Sequence, residues 1–288
     1  MVQACAIAGL DVGGARLLHG RANEVFLLPR ARTVVRLRHA GKSDEWRRRL
    51  SSAVQVAFWL YNHGFPAVVP VSGLEQPVMV NGWITTFWRY VIADSSMPVP
   101  GTAHLGLLLQ KLHRLPAPPV DLTPTNPLGS LLTDLARSGS LLSASQRDWL
   151  RAQSELVLAE YETTAQPLGC GLIHGDAHPG NLLAADGRYV LIDWDSVSYG
   201  PRIQDLVPTL VGVTRFGRPV ANWVNLCNAY GIPTSVRYAP GTRLLCRARE
   251  LRSLAAYIRA SHHPDVLAEL GKRLRTLIDG ARETWRAS

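Results

Sequence analysis

The sequence predicts an α+β chain in two lobes, a small antiparallel-sheet lobe over residues 1–91 and a larger, mainly helical lobe over residues 92–288. Three observations carry this expectation. Across residues 15–38 apolar and polar positions alternate in three bursts, ARLLHG, EVFLL and TVVRLR, separated by Gly20-Arg21-Ala22-Asn23 and by Pro29-Arg30-Ala31-Arg32. That is the period-two pattern of a strand meander. Asn81-Gly82 stands between the runs 77–80 and 83–90 and supplies the two positive backbone angles of a type I′ hairpin turn. Beyond Gly101 the apolar spacing changes to three and four, the period of helices buried on one face.

Taken in order, Ser43 is expected to cap a helix through Asp44 and Glu45 to about His63, with acids in the first turn where the helix dipole favours them. Leu50, Val54, Ala57, Phe58 and Tyr61 form its apolar stripe. A polar, proline-containing link over 94–101 leads to a helix over 102–115, apolar at Leu105, Leu108, Leu109 and Leu112 and stopped by Pro116. The run PAPPVDLTPTNP reads as loop. Helices are expected over 128–137 and 146–163, the second opened by Ser145 with Asp148 three residues on, similar to a capping box. Four more are expected over 202–213, 221–230, 242–260 and 265–285, with Gly231 ending the second and Pro264 separating the last two.

An apolar share of 47% belongs to an ordinary globular protein. No apolar run reaches the length of a membrane span, and MVQACAIAGLDVGG lacks the basic start and cleavage pattern of a secretory signal. A cytoplasmic chain with no membrane partner, monomeric or weakly dimeric, is expected. Cys5, Cys170, Cys227 and Cys246 show no C-x-x-C spacing, so neither a zinc site nor a disulfide framework is indicated. The net charge is +9, but the bases are spread along the chain and no basic-aromatic module accompanies them, which speaks against a nucleic-acid partner. Nearly every base is arginine, with lysine only at Lys42, Lys111 and Lys272.

Against this basic background the stretch 172–205, LIHGDAHPGNLLAADGRYVLIDWDSVSYGPRIQD, is acidic: between Gly171 and Gly200, Asp176, Asp186, Asp193 and Asp195 face one base, Arg188. Asp186-Gly187 is a two-residue turn that folds 182–184 back on 190–192, so Asn181 and Asp193 are expected side by side at the hairpin's end. An amide oxygen beside a carboxylate is a hard donor set, suited to a magnesium ion that keeps waters and also binds nucleotide phosphates. Asp176, on the loop just before, is placed to accept a proton from an attacking hydroxyl. A loop aspartate that merely caps a turn is the alternative for Asp176 taken alone.

His174-Gly175-Asp176, four residues, then Asn181 has the spacing of the kinase catalytic loop, and Ile192-Asp193-Trp194 stands where that family keeps its metal-binding aspartate. With HGDAHPGN, IDWD and the later Asp205-Leu206, the chain resembles the aminoglycoside phosphotransferase and choline kinase-like family, antibiotic-inactivating kinases among them, which has a protein-kinase-like fold. The resemblance implies Asp176 as catalytic base, Asn181 and Asp193 as ligands of Mg2+, and ATP or GTP as phosphoryl donor. Arg36 occupies the position of the family's phosphate-pairing lysine; arginine keeps the charge and grips oxygens bidentately, although a solvated strand residue is the plainer reading. The turn that holds Asn23 falls where nucleotide kinases lay a loop over the phosphates, and an ordinary hairpin turn explains it equally well. The backbone of Trp88, Arg89, Tyr90 and Val91 would be the hinge that grips the purine, or simply aromatics closing the sheet. The helix that should supply a glutamate to the strand cation has none in its middle, SSAVQVAFWL, leaving Glu45 as the one candidate. His174 is expected to brace the loop through a backbone contact, and His178, Asp195 and Asp205 to be scaffold.

The function these readings imply is transfer of a terminal phosphoryl group to a hydroxyl of a small molecule, with antibiotic inactivation favoured by the resemblance. A metabolic kinase for a sugar, choline or homoserine-like alcohol is the alternative within that chemistry, and an inactive nucleotide-binding module is the alternative outside it. Over residues 201–288 six acids face fourteen bases, among them Arg243, Arg247, Arg249, Arg252 and Arg259. Such a field repels a polycation, so a neutral or anionic acceptor, for instance a nucleoside-type antibiotic, is expected in preference to an aminoglycoside. A solvated outer face with a locally acidic site is the alternative.

Overall fold

The computed structural model describes residues 1–20, 23–40, 44–260, 264–281 and 283–286. Contacts divide the chain into two compact units, the first comprising Met1–Pro100, Arg114–Thr123 and His174–Tyr199, the second Gly101–His113, Pro124–Ile173 and Gly200–Ser288. The middle of the acidic stretch, His174–Tyr199, therefore groups with the strand-rich part and its two ends with the helical part, whereas a single boundary after residue 91 would assign all of it to the helical part.

The first unit opens with a short helix α1 (Val2–Ile7), for which the sequence reading made no provision. The meander follows as β1 (Arg16–Gly20), β2 (Glu24–Leu28) and β3 (Thr33–His39). After helix α2 (Glu45–Asn62), the Asn81-Gly82 hairpin adds β4 (Val78–Val80) and β5 (Trp83–Arg89). All neighbours pair antiparallel in the order β1-β2-β3-β5-β4. Asn81 and Gly82 have φ of 49° and 75°, the two left-handed residues a type I′ turn needs. Period-two alternation sends Val35 and Leu37 into a cluster with Ala4, Cys5, Leu28, Val78 and Phe87, while Val34, Arg36 and Arg38 take the opposite face of β3. Each buried Val, Leu or Phe among them contributes about 1.5–3 kcal/mol.

The expected cap Ser43 lies outside the described residues, as do Arg21 and Ala22 of the first turn. The buried stripe of α2 is Leu50, Ala53, Val54, Val56, Ala57 and Leu60. Phe58 is only half-buried and Tyr61 is 49% exposed, contrary to expectation. At 100° per residue Phe58 falls 40° beyond Val54, outside the buried arc, whereas Tyr61 falls between Leu50 and Val54 and is exposed although its direction matches the stripe, one residue before the helix ends at Asn62. Tyr61 lies instead beneath Arg89, with the guanidinium 5.9 Å from its ring centroid.

The next elements are α3 (Thr102–Arg114), α4 (Leu131–Ala136), α5 (Ala144–Thr163), β6 (Cys170–Ile173), β7 (Leu182–Ala185), β8 (Arg188–Leu191) and β9 (Ser198–Pro201). They are followed by α6 (Val207–Arg215), α7 (Val220–Tyr230), α8 (Pro240–Arg252), α9 (Leu254–Arg259) and α10 (Pro264–Ile278). The cap of α5 is Ser143 and not Ser145: Ser143 Oγ accepts from Gln146 N at 3.2 Å and Gln146 Oε1 accepts from Ser143 N at 2.9 Å, so glutamine completes the box. The helix expected over 242–260 is two helices that meet at Ser253. The last one ends at Ile278, and Trp285, expected inside it, folds back so that its amide donates to Arg215 O at 2.7 Å and its indole to Thr276 Oγ1.

In the second unit, Leu128, Leu131, Leu135, Leu150, Val157, Leu244, Leu251, Leu270 and Leu274 form one core. Gly106 of α3 lies so close to α7 that a Cβ there would stand 2.6 Å from Leu226 O. Asp205 is fully buried and accepts from His113 Nε2 at 3.1 Å, while His113 Nδ1 bonds the Tyr230 hydroxyl at 2.8 Å. A buried carboxylate so satisfied is a structural element, as the sequence reading supposed for Asp205. Among the described residues no helix is long and apolar enough to cross a membrane.

Candidate active site

The site is built on the β7–β8 hairpin of the first unit. Asp186 and Gly187 turn it with φ of 51° and 72°, and the register pairs Leu182 with Leu191. One step beyond, Ile192 N donates to Asn181 O at 2.9 Å, so Asn181 and Asp193 emerge at the same end of the hairpin. Asn181 closes the 3-10 turn Pro179–Asn181, its amide N–H held by His178 O at 2.9 Å. Its side-chain Nδ2 donates to Asp176 O at 3.0 Å, which leaves Oδ1 as the amide's acceptor atom.

His174, fully buried, ties the Asp176 loop to the chain leaving β8. Its Nε2–H donates to Ile192 O at 2.9 Å, and its Nδ1 accepts the Asp176 N–H at 3.4 Å, so the ring is the neutral Nε2-protonated tautomer packed 4.8 Å from Trp194. Gly175 makes the approach possible. Its φ is +83°, and a Cβ on it would stand 2.1 Å from Ser196 O. Asp193 itself is left-handed, φ 65° and ψ 64°, a conformation that costs a residue with a side chain about 1–2 kcal/mol and that aspartate tolerates better than most. The turn Trp194–Ser196 follows directly and brings Asp195 back beside Asp193.

Arg36 of β3 meets both acids: Nη1 donates to Asp193 Oδ1 at 3.1 Å and Nη2 to Asp195 Oδ2 at 2.9 Å. Its side chain is 17% exposed, that of Asp195 12% and that of Asp193 42%. Burial alone would depress the guanidinium pKa, but the Asp195 and Asp193 carboxylates hold it above the usual arginine value. Burial likewise pushes the Asp195 carboxyl up, and the opposing pull of Arg36 offsets this only in part.

The remaining sequence candidates are placed as follows. Glu45 does not pair with the strand cation; as the first residue of α2 it pairs with Arg49 one turn on, at 2.8 Å. Asn23 Oδ1 accepts from Arg38 Nη1 at 2.9 Å. Trp88 is buried with its indole N–H on Thr86 Oγ1, and the amides of Arg89 and Tyr90 are taken by the Val69 and Arg32 carbonyls, both at 2.8 Å. Val91 is half-buried beside them. His178 is half-buried and precedes the Asn181 turn. Sequence reasoning passed over Arg38 and Trp46, which stack with the guanidinium carbon 3.3 Å from the ring centroid. The signal was available in VVRLRH, whose two arginines share one strand face.

Whether these residues suit a divalent ion can be judged from their chemistry. Among the described residues no group of three or more His, Cys, Asp or Glu could hold a metal. An ion here would rest on Asn181 Oδ1, the half-exposed Asp193 carboxylate and oxygens of a bound phosphate, a hard donor set that fits magnesium or calcium. Asp195 Oδ1, buried and without a hydrogen-bond partner, shows that the cluster has acceptor capacity beyond what Arg36 uses. Arg36 already places a positive charge between the two acids.

A five-stranded antiparallel sheet, a helix beside it, and a loop and hairpin presenting aspartate, asparagine and aspartate define the kinase-like class. Solved structures share the fold. The microcompartment-associated aminopropanol kinase aligns with a TM-score of 0.71 over 98% of both chains at 17% identity. The amicoumacin kinase hAmiN in complex with AMP-PNP, Ca2+ and Ami gives 0.69 over 94% of this chain and 89% of that one at 14% identity. The GDP and kanamycin complex of APH(2")-IIia gives 0.63 over 97% and 98% at 17% identity. No curated protein matches in sequence. The model of the phosphotransferase enzyme family (APH) matches residues 14–239, and the chain belongs to that family.

Gly175→Ala is expected to displace the Asp176 loop from Ser196, since the added carbon meets backbone and not a movable side chain. Thermal unfolding should show a loss of about 1–3 kcal/mol, the usual cost of overpacking, compounded by the left-handed angle. A variant as stable and as active as the parent would refute this account of the loop.

Proposed function

We propose that the chain is an active phosphotransferase that moves the terminal phosphoryl group of ATP or GTP, presented with magnesium, to a hydroxyl of a small cytoplasmic molecule. One observation carries the reading: Asp176 and Asn181 are tied to each other, and Asp193 emerges at the same hairpin end with its carboxylate on Arg36. In this reading Asp176 takes the proton of the acceptor hydroxyl as its oxygen bonds to phosphorus and the bond to the departing diphosphate breaks. Asn181 and Asp193 hold the metal, which neutralises phosphate charge when bound. Arg36 holds Asp193 and Asp195 with its planar fork and places a positive charge beside the phosphates. An inactive nucleotide-binding module would have no need of the neutral His174 brace and the Gly175 approach that fix Asp176.

The relatives named above bind or act on an amino alcohol, amicoumacin and kanamycin, so the class of acceptor has to be argued from this chain. The positive balance of residues 201–288 favours a neutral or anionic hydroxyl compound, of which a nucleoside-type antibiotic is one example. Part of that charge is spent on internal pairs, Arg215 with Glu250, Arg247 with Glu160 and Arg259 with Asp134. Arg249 and Arg252 line a small recess with Gln204 and Pro127. A sugar, choline or homoserine-like alcohol is the second reading, supported by the aminopropanol kinase fold match.

Asp176→Asn should lower turnover by about 10²- to 10⁴-fold with nucleotide affinity nearly unchanged, as measured by steady-state kinetics and calorimetry. Asp193→Ala should abolish the magnesium dependence of nucleotide binding together with turnover; calorimetric titration with and without magnesium reads this directly. On a panel of acceptors with labelled nucleotide, neutral and anionic hydroxyl compounds should react and kanamycin-like polycations should be poor substrates. Efficient phosphorylation of several aminoglycosides would overturn the charge argument.

A further inference from the structure

The family resemblance leads one to look for an ion pair between Arg36 of β3 and an acid of the following helix, and Arg36 and Glu45 do not form it. Arg36 turns to Asp193 and Asp195, Glu45 to Arg49, and the middle of α2 carries no acid. A different contact joins the same elements. Arg38 sits two residues beyond Arg36 on the same face of β3. Its guanidinium carbon lies 3.3 Å from the centroid of Trp46, in the first turn of α2, and its Nη1 donates to Asn23 Oδ1 at 2.9 Å, immediately before β2. Arg49 approaches the same ring at 5.3 Å. One planar cation thereby gathers residues from the entry to β2, from β3 and from α2.

We propose that Arg38, stacked on Trp46 and bonded to Asn23, is the positioning residue that ties β3 to α2 and to the chain entering β2, and so sets the nucleotide-binding face on which Arg36 acts. The role of the tie in nucleotide binding rests on the phosphotransferase reading; the tie itself does not. The chemistry requires arginine: a lysine ammonium has neither the flat face that covers an indole nor the fork that reaches Asn23 at the same time. A contact between a cation and an aromatic face is less sensitive to salt than an exposed ion pair, so the tie holds over a wide range of ionic strength.

The test uses the full chain, five single variants, Arg38→Met, Arg38→Lys, Trp46→Leu, Trp46→Phe and Asn23→Ala, and the double variant Arg38→Met/Trp46→Leu. Hydrogen exchange on the ligand-free protein is expected to show faster exchange in 24–28 and 45–49 for Arg38→Met and Trp46→Leu, with Trp46→Phe close to the parent. Calorimetry with the magnesium complex of AMP-PNP should give a Kd raised about tenfold in Arg38→Met, Arg38→Lys and Trp46→Leu, equivalent to about 1.4 kcal/mol. Trp46→Phe should restore most of the affinity, and the double variant Arg38→Met/Trp46→Leu should lose no more than either single one, because the two side chains act as a pair. Asn23→Ala should fall between. Additive losses, or unchanged exchange in 45–49 on removing the Trp46 ring, overturn the proposal, and the Trp46→Phe and Asn23→Ala results decide the case if Trp46→Leu does not fold. Failure of the parent chain to bind magnesium-nucleotide would count against the phosphotransferase reading and the claimed role in binding, whereas the exchange result judges the tie alone.

Discussion

Two carboxylates brought to one place need a cation, and in this chain the guanidinium of Arg36 is that cation. Asp193 and Asp195 are two residues apart and both reach it, at 3.1 and 2.9 Å. Removing one member of such a partly buried group leaves uncompensated charge, a loss of about 3–5 kcal/mol where burial is complete and less where, as at Asp193, water still reaches the group. Much of the local backbone answers to this constraint. The left-handed Asp193 and the turn after it bring the second acid back, and the alternation of β3 keeps Arg36 off the apolar face that Val35 and Leu37 occupy.

The loop that carries Asp176 and the hairpin behave as one piece for a related reason. His174 spends both ring nitrogens on backbone, one on the carbonyl before Asp193 and one on the amide of Asp176. Asn181 spends its amide nitrogen on the Asp176 carbonyl. The candidate base and the candidate metal ligands are therefore fixed relative to each other by the His174 ring and by the Asn181 amide nitrogen, whose oxygen is left as a candidate ligand atom. Local strain at Asp193 is tolerable in such a frame because neighbouring hydrogen bonds over-determine it.

What could be read in advance followed from local rules with few competitors. Asn81-Gly82 and Asp186-Gly187 each specify a hairpin through their own backbone angles, and both turns have the expected form. The placement of Asn181 beside Asp193 then follows from register alone. Tertiary packing follows no such local rule. Phe58 and Tyr61 have the right spacing for a helix stripe, yet which stripe is buried depends on what packs against it. Ser145 and Ser143 both offer a hydroxyl, and the choice falls to the one that finds glutamine three residues on. Trp285 leaves its helix because a buried site near Arg215 and Thr276 receives it, which no local pattern encodes. The partner of Arg36 was invisible for the same reason: 157 residues separate it from Asp193.

The use of arginine in place of lysine on β3 also decides how the site meets reagents. Over any pH at which a protein stays folded, a guanidinium keeps its proton, and neither position on this strand can become a free amine nucleophile. Nucleotide analogues that acylate or sulfonylate a lysine would find nothing to modify on TVVRLRH, whereas vicinal dicarbonyl compounds, which condense with guanidinium groups, would find Arg36 and Arg38 within two residues of each other.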